Sequence, residues 1–279
     1  MPLSEAMARW AQAQISARYK NQFGYQLPLE KPRTFREKLF VRMVLMHHRH
    51  CRRYTLLSDK LAVRSYVNQC IGSKYLTTIT WSGADPLRAP LELYSSGYIA
   101  KTNHGCGGHR LITSGDQSAL RRHLNQQLKQ NYYWLALEAQ YYQIKPKAFI
   151  EQLVQGSNNL AALNFRLWCF HGKVEFIQPD DGSPLNPFYD TSWAALNLSY
   201  RANSRAHYHC PAPENLQGMV KLAETLATPF GFVRVDLYNI NGRIIFSELT
   251  FTPLGGDLWL DPAEWDSYLG SIWQNDSIA

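Results

Sequence analysis

The chain has 279 residues and a formal net charge of +7, with 45% hydrophobic and 18% charged residues. That balance excludes disorder, and the length suits about two domains, or one domain with a lid. No stretch reaches the ~18–20 apolar residues of a membrane span, and the scattered basic residues suit an anionic substrate such as a nucleotide, an acidic polysaccharide or a membrane surface.

Read in order, MPLSEAMARWAQAQ lacks a basic region followed by an apolar core, so no signal peptide is expected and the cytoplasm is the expected location. Residues 4–20 read as a helix capped by Ser4, followed by a polar, proline-containing loop over 21–32. Thr34-Phe35-Arg36-Glu37 has the pattern of a capping box, and Phe40, Val41, Val44 and Leu45 continue at helical spacing. The cluster His47-His48-Arg49-His50-Cys51 has no partner at zinc-ligand spacing nearby, so a solvated basic helix end is its expected role. A further helix is expected from Asp59 to about Cys70, capped by Ser58 and ended by Gly72.

Gly97–Lys101 reads as a short strand leading into a glycine-rich loop, Thr102-Asn103-His104-Gly105-Cys106-Gly107-Gly108, and 109–112 reads as the returning strand. The glycines allow backbone N–H groups to approach phosphate oxygens, and Lys101 supplies a cation at the loop's entrance. The order of residues is that of neither a P-loop nor a dinucleotide fingerprint, and a plain hairpin turn fits the stretch as well as a phosphate cradle. Residues 117–142 suggest one long helix or two broken ones, capped by Ser118. Its aromatic cluster (Tyr132, Tyr133, Trp134, Tyr141 and Tyr142) is read as packing. Residues 147–154 read as a strand carrying Glu151 in an apolar run, and 156–159 as a hinge loop. Strands 164–170 and 174–177 form a hairpin across His171-Gly172, with Asn164, Arg166 and Trp168 on one face. A helix over 213–230 precedes the last hairpin, and residues 262–273 close the sequence as an amphipathic helix.

That last hairpin, within GFVRVDLYNINGRIIFSELTFTPLGG (231–256), carries the strongest chemistry. Val233, Val235 and Leu237 alternate with Arg234 and Asp236, while Phe246, Glu248 and Thr250 share a face of the second strand. A two-residue Asn241-Gly242 turn would set Val235 opposite Glu248 and send Asp236 and Glu248 to opposite faces. A three-residue loop, Ile240-Asn241-Gly242, brings both carboxylates together beside Arg234, and this register is expected. Such a pair suits Mg²⁺ held jointly with substrate phosphates; ordinary surface charges on a solvated hairpin are the alternative. Five cysteines at irregular spacings (Cys51, Cys70, Cys106, Cys169, Cys210) predict free thiols in a reducing compartment. No helix-turn-helix, zinc-finger or RNA-binding motif is present, and no nucleic-acid partner is expected.

Taken together, RTFREKL, SDKLAVRSYV, YIAKTNHGCGG, FIEQLV, NFRLWCFHGKVEFI, FYDTSW, FVRVDLY and FSELTFTPLGG resemble the TupA-like family of the ATP-grasp superfamily, which is associated with cell-surface polysaccharide biosynthesis. The resemblance covers residues 24–270, and FVRVDLY with FSELTFTPLGG is its specific part. It implies an α+β ATP-grasp fold in which two α+β subdomains clasp the nucleotide, with a helical N-terminal region over 1–57, a first part with a glycine-rich lid over 58–150, and a second part with the metal site over 151–279. By position it implies that Lys60 and Lys101 contact nucleotide phosphates, together with the lid residues Asn103, Gly105, Gly107 and Gly108. Glu151 falls on the strand that meets adenine and ribose, Arg166 near phosphate, and Arg234 where an arginine steadies the transferring group. Asp236 and Glu248 match the Mg²⁺ ligands, and Thr250 stands where an asparagine ligand is common. Two departures are Asn164-Phe165-Arg166 in place of Asp-Tyr-Lys and Cys106 in place of serine. The implied activity is an ATP- and Mg²⁺-dependent ligase joining an acidic small molecule or polysaccharide precursor, such as a uronic acid, to an amine or amino acid through an acyl phosphate. A glycosyl- or phosphotransferase of polysaccharide assembly and a non-catalytic nucleotide- or glycan-binding module are the alternatives. Neither the particular acid and amine nor the oligomeric state is specified.

Overall fold

Capping side chains set the first helix boundaries in a computed structural model that describes residues 4–274 apart from 50–51, 95, 114, 116, 157–161, 183–185 and 201–208. Helix α1 (Glu5–Phe23) starts where Ser4 Oγ accepts the Met7 N–H at 3.2 Å and ends at Gly24, whose φ of 83° is left-handed. Helix α2 (Phe35–Arg49) opens in a reciprocal capping box, with Thr34 Oγ1 accepting from Glu37 N at 3.2 Å and Glu37 Oε2 accepting from Thr34 N at 3.1 Å. Helix α3 (Arg52–Ser58) has no counterpart in the sequence reading and displaces the expected Ser58 cap. Asp59, a carboxylate and a stronger acceptor than a hydroxyl, instead accepts from Leu61 N at 2.8 Å and Ala62 N at 3.3 Å ahead of α4 (Val63–Ile71).

Among the described residues the strands form two antiparallel four-stranded sheets. The first runs β1-β4-β2-β3, built from β1 (Ile79–Gly83), β2 (Tyr98–Thr102), β3 (Arg110–Leu111) and β4 (Ala148–Gln152). Its core of Ala100, Ile112, Ala148 and Ile150 packs on Leu124 of α5 (Gln117–Leu128). The single helix considered for 117–142 is three: α5, α6 (Tyr133–Ala136) and α7 (Ala139–Tyr142). Leu137, at φ 55°, separates the last two, and Ser118 lies inside α5 rather than capping it. Because Ile150 and Glu151 both pair with β1 and β2, the expected division between 150 and 151 falls inside a strand of the first sheet, and the chain changes sheets after Gln152. The expected hinge over 156–159 lies largely outside the described residues.

The second sheet runs β6-β5-β7-β8, from β5 (Asn164–Phe170), β6 (Lys173–Asp180), β7 (Phe232–Ile240) and β8 (Arg243–Thr250). One face, with Leu167, Val233, Val235 and Leu237, packs on Met219 and Ala223 of α8 (Leu216–Ala227) and on Val67 of α4. The other face is divided along its length. Trp168, Phe170, Phe176 and Phe232 pack against Phe35 and Leu39 of α2 and against Leu269 and Trp273, in and just after α9 (Glu264–Ile272). Further along, the same face is polar and looks toward the first sheet. Helices α1, α2 and α3 occupy the N-terminal region, and α2 and α3 are a packing layer of the second lobe, contributing Met46, Tyr54 and Leu57 to its core. Among the described residues no helix is long and apolar enough to cross a membrane, and Cys70, Cys106, Cys169 and Cys210 are free thiols.

Arg42 fastens this layer to the sheet. Its buried guanidinium donates to the carbonyls of Phe251 (2.9 Å) and Phe232 (3.0 Å) and lies 4.3 Å from the centroid of the Trp273 ring. Arg42→Ala would strand two buried carbonyls and open a cavity beside the ring. The expected outcome is a loss of about 3 kcal/mol, read from urea unfolding followed by tryptophan fluorescence.

Candidate functional site

The polar stretch of the second sheet is assembled by strand register. In the β7–β8 hairpin Ile240 pairs directly with Arg243, so the connection is the two-residue Asn241-Gly242 turn, with φ of 49° and 75°, and not the expected three-residue loop. Asp236 and Glu248 nevertheless stand opposite each other. Strand β8 carries one extra residue, Ser247, between the pairs Leu237–Phe246 and Asp236–Glu248. This bulge shifts the register by one and restores the shared face that the turn alone would have lost. It also turns Phe246 away from Glu248 and Thr250, toward Leu237 and the α8 side. Across β5, Arg166 pairs with Asp236 and Trp168 with Arg234, so the row of buried aromatic side chains meets the row of charges at Arg234.

Arg234, 6% exposed, grips Asp236, 1% exposed, in a bidentate pair: Nε to Oδ1 at 2.7 Å and Nη2 to Oδ2 at 2.6 Å. Nη2 also reaches Thr250 Oγ1 at 3.0 Å and Glu248 Oε1 at 3.3 Å, and Thr250 Oγ1 donates to Glu248 Oε1 at 3.1 Å. Burial works against both charges of the pair, but Asp236 and then Glu248 hold the guanidinium firmly protonated, and Asp236 is its ionised partner. Burial would raise the Glu248 carboxyl too; Lys60, then Arg234, the Thr250 hydroxyl and Arg166 outweigh it and hold it below the ordinary carboxylate range.

A cavity of about 370 Å³ separates this face from the first sheet. From the first sheet and its loop come Lys101, Gly105, Gly107, Gly108 and Glu151; from the turn ahead of α4 comes Lys60; from the second sheet come Arg166, Asp236 and Glu248. Lys101 Nζ lies 2.6 Å from Glu151 Oε1, and Thr77 Oγ1 donates to Glu151 Oε2 at 2.5 Å. Lys60 donates through its ammonium to the Gly105 carbonyl and through its backbone N–H to Asn103 O, tying the start of α4 to the glycine-rich loop. Arg166 is ion-paired with Asp180. Burial, then Lys101, Arg110 and Lys60, lowers the pKa of His109, which keeps this cleft histidine neutral. The arrangement is a basic cleft with two acidic side chains on its floor. Two hard oxygen ligands of that kind fit Mg²⁺ shared with phosphate oxygens, and among the described residues no group of three or more His, Cys, Asp or Glu converges as an all-protein metal cage.

Three expected residues stand outside the cavity wall. Asn103 is buried and braces the loop internally: Nδ2 donates to Lys145 O at 3.1 Å and Oδ1 accepts Lys147 N at 2.8 Å. Arg234 and Thr250 lie behind the carboxylates and orient them. His47 Nδ1 is 2.7 Å from Met43 O and His48 Nε2 is 2.9 Å from Gln12 Oε1, so these two histidines serve helix packing; His50 and Cys51 lie outside the described residues. The sequence reading missed Thr77 and Asp180 as partners of Glu151 and Arg166. Thr77 sits in a short turn just before β1, where no periodicity signals a role. Asp180 was hidden too, because one extra residue in β6, Glu175, between the pairs Cys169–Val174 and Trp168–Phe176, shifts the register and sets it opposite Asn164.

A family model described as TupA-like ATPgrasp matches residues 37–274. Comparison with the curated proteins gave no match. Among solved structures, the chain is similar to the D-alanine–D-alanine ligase of Helicobacter pylori, at 14% identity and a TM-score of 0.44, over 79% of this chain and 62% of that one. It is also similar to the ADP complex of purK, N5-carboxyaminoimidazole ribonucleotide synthetase (13% identity, TM-score 0.44, 70% of this chain and 45% of that one). A third is the RimK domain protein ATP-grasp of Sphaerobacter thermophilus (13% identity, TM-score 0.43, 78% of this chain and 67% of that one). The chain spans about half the length of the first solved structures it matches, 45% of the synthetase and 53% of the ATP-grasp ligase PsnB.

The two floor carboxylates differ in a way that unfolding resolves. Asp236→Asn leaves Arg234 buried without its counter-ion and should lower the unfolding free energy by about 3 kcal/mol. Glu248→Gln, whose side chain is 39% exposed, should change it by less than about 1 kcal/mol. Urea midpoints of the two variants check this, and equal losses would contradict the assignment.

Proposed function

The chain belongs to the TupA-like ATP-grasp family and has the two α+β lobes of that fold, and from that premise we propose that it is an ATP- and Mg²⁺-dependent carboxylate–amine ligase. Family membership supports ATP-dependent ligation in general. The reading is carried further by one observation: Asp236 and Glu248 stand side by side in front of Arg234, facing Lys60 and Lys101 across the cleft.

A carboxylate is a poor acyl donor because its oxygen leaves badly. In the proposed reaction an oxygen of the substrate carboxylate bonds to the γ-phosphorus of ATP as the bond to ADP breaks. The resulting acyl phosphate then forms a C–N bond with an amine and expels phosphate. For phosphoryl transfer a protein mainly supplies position and positive charge. Lys60, at the start of α4, and Lys101, on β2, would hold the nucleotide phosphates, with Arg166 reaching them from β5, and Gly105, Gly107 and Gly108 would bring backbone N–H groups close. Glu151 would face the nucleoside. Mg²⁺ bound by Asp236 and Glu248 would neutralise phosphate charge. The loop carrying Cys106 would cover the cleft and exclude water that would otherwise hydrolyse the intermediate. The substrates we assign are a uronic acid or related carboxylate of cell-surface polysaccharide biosynthesis and an amine or amino acid. We place the reaction in the cytoplasm, a setting that suits the free thiols.

Purified protein with ATP, Mg²⁺, a panel of uronic acids and amines should release ADP only when both an acid and an amine are present. The product mass should equal acid plus amine minus water. Equal ADP release without either would reject ligation, and an added phosphate or sugar would identify a transferase. Lys60→Ala and Lys101→Ala should each weaken ATP binding roughly 10- to 100-fold, the 1.5–3 kcal/mol of a charge-assisted hydrogen bond, in a calorimetric titration.

A further inference from the structure

Beside the floor carboxylates, on the side where the chain leaves β8, lies a third acid that the phosphate chemistry does not use. Glu138 occupies the link between α6 and α7. The hydroxyl of Thr252, two residues past the end of β8, donates to its Oε1, and Gln140 Nε2 donates to the same oxygen at 3.3 Å and to Thr252 Oγ1 at 2.7 Å. Gln140 is only 3% exposed and its Oε1 has no hydrogen-bond partner. Both bonds to Glu138 therefore fix one carboxylate oxygen and leave Oε2 for another partner. That oxygen faces Gly255, where a Cβ would stand 4.0 Å from it and 2.9 Å from the Ala136 Cβ. Gly255, at φ 59°, is thus required both by its backbone turn and by the close approach of Ala136. Arg18 of α1 locks the approach of the two segments, donating to Ala136 O at 3.1 Å and Gly255 O at 2.8 Å.

The charged surroundings are defined. Arg18 from α1 and Glu248 from β8 act on Glu138, and the phenols of Tyr141 and Tyr132 stand within its field. Tyr141 also feels Glu248, Cys106 and Arg234, so it lies within the field of the floor carboxylates as well as that of Glu138. Burial pushes the Glu138 carboxyl up to about 7, against the Thr252 hydrogen bond and Arg18, and Glu248 adds to the rise. A carboxylate poised in this way is suited to exchanging a proton at neutral pH.

We propose that Glu138 is a further catalytic residue, the group that receives the incoming amine as its ammonium and takes one of its protons. The role rests on the ligase reading above. The ammonium N–H bond breaks, its proton goes to Glu138 Oε2, and its electron pair stays on nitrogen. That pair forms the C–N bond to the acyl phosphate as the C–O bond to phosphate breaks with its electrons on the phosphate oxygen. The second proton lost by nitrogen leaves on the phosphate. Thr252 and Gln140 are positioning residues that hold Oε1 and aim Oε2.

Two nucleophiles separate this role from a structural one: ethylamine, protonated at pH 7, and hydroxylamine, already unprotonated there. With ATP, Mg²⁺ and a panel of uronic acids, Glu138→Gln should lower amide formation from ethylamine about 100-fold, while hydroxamate formation falls by far less, and Glu138→Asp should recover part of the loss. Thermal midpoints and ATP titrations confirm that each variant is folded and loads nucleotide. An equal fall for both nucleophiles, or no fall for either, overturns the role of Glu138 while leaving ligation intact. Failure of the unmodified protein to form either product removes the ligase reading and this role with it.

Discussion

The candidate site depends on one buried contact, the bidentate pair between Arg234 and Asp236. Both residues sit on β7, two apart, so their side chains share a face by strand geometry alone. What the strand cannot supply is a reason for a guanidinium and a carboxylate to leave water. The second strand of the hairpin supplies it, since Thr250 and Glu248 give Arg234 further acceptors. A buried ion pair of this kind stabilises little compared with an apolar one and is costly to break. Its value is positional: with Arg234 anchored, Asp236 cannot turn away from Glu248, and the two acids remain presented to the cleft.

That anchoring follows from the division of the sheet face. At one end Phe232, Trp168 and Phe176 are sealed by α2 and by the chain around α9. One residue pair further along, Trp168 stands opposite Arg234, and beyond it Arg166 stands opposite Asp236 at the cavity. Arg234 is therefore placed where apolar packing ends and the open cleft begins, which gives its bonds the strength of a low-dielectric setting. Arg42 holds the sealed end in register by capping carbonyls at the start of β7 and just past the end of β8. The N-terminal helices thus act on the site at a distance, as the layer that keeps one half of the face dry.

Much of this was legible in the residues. The capping box at Thr34 and Glu37, the Ser4 cap and the turn at His171-Gly172 are local features decided by side chains a few positions apart, and they form as read, whereas the connection at Asn241-Gly242 has two residues where three were expected. The pairing of Asp236 with Glu248 was anticipated for the wrong reason. A bulge at Ser247 does what a longer loop was expected to do, and a bulge has no residue signature when a serine carries it. Longer-range facts were not legible. Ser58 looks like a cap until α3 is seen to end there, and Asn103 looks like a lid residue until the segment just before β4 is seen to bond its side chain. Glu138 was hidden inside an aromatic run whose rings do pack, because its partner Thr252 lies 114 positions away.

Four cations in and behind the cleft, Arg234, Lys101, Arg166 and Lys60, are engaged, but not equally. Arg234 has two buried bonds to one carboxylate, Lys101 and Arg166 each have one acidic partner, and Lys60 holds a neutral carbonyl. In the proposed reaction an arriving triphosphate would compete with these contacts, and the cost of exchange would rise in the reverse of that order. Lys60 can turn to phosphate with little loss, which would also release the glycine-rich loop from its present tie. Lys101 can do so once Glu151 has another donor, and Thr77 already supplies one. Arg234 gains nothing by turning, because leaving Asp236 would strand a buried carboxylate. On the proposed reading the labour is divided: the lysines would be the groups that follow a ligand, and the arginine would stay the fixed strut behind the acids that receive it.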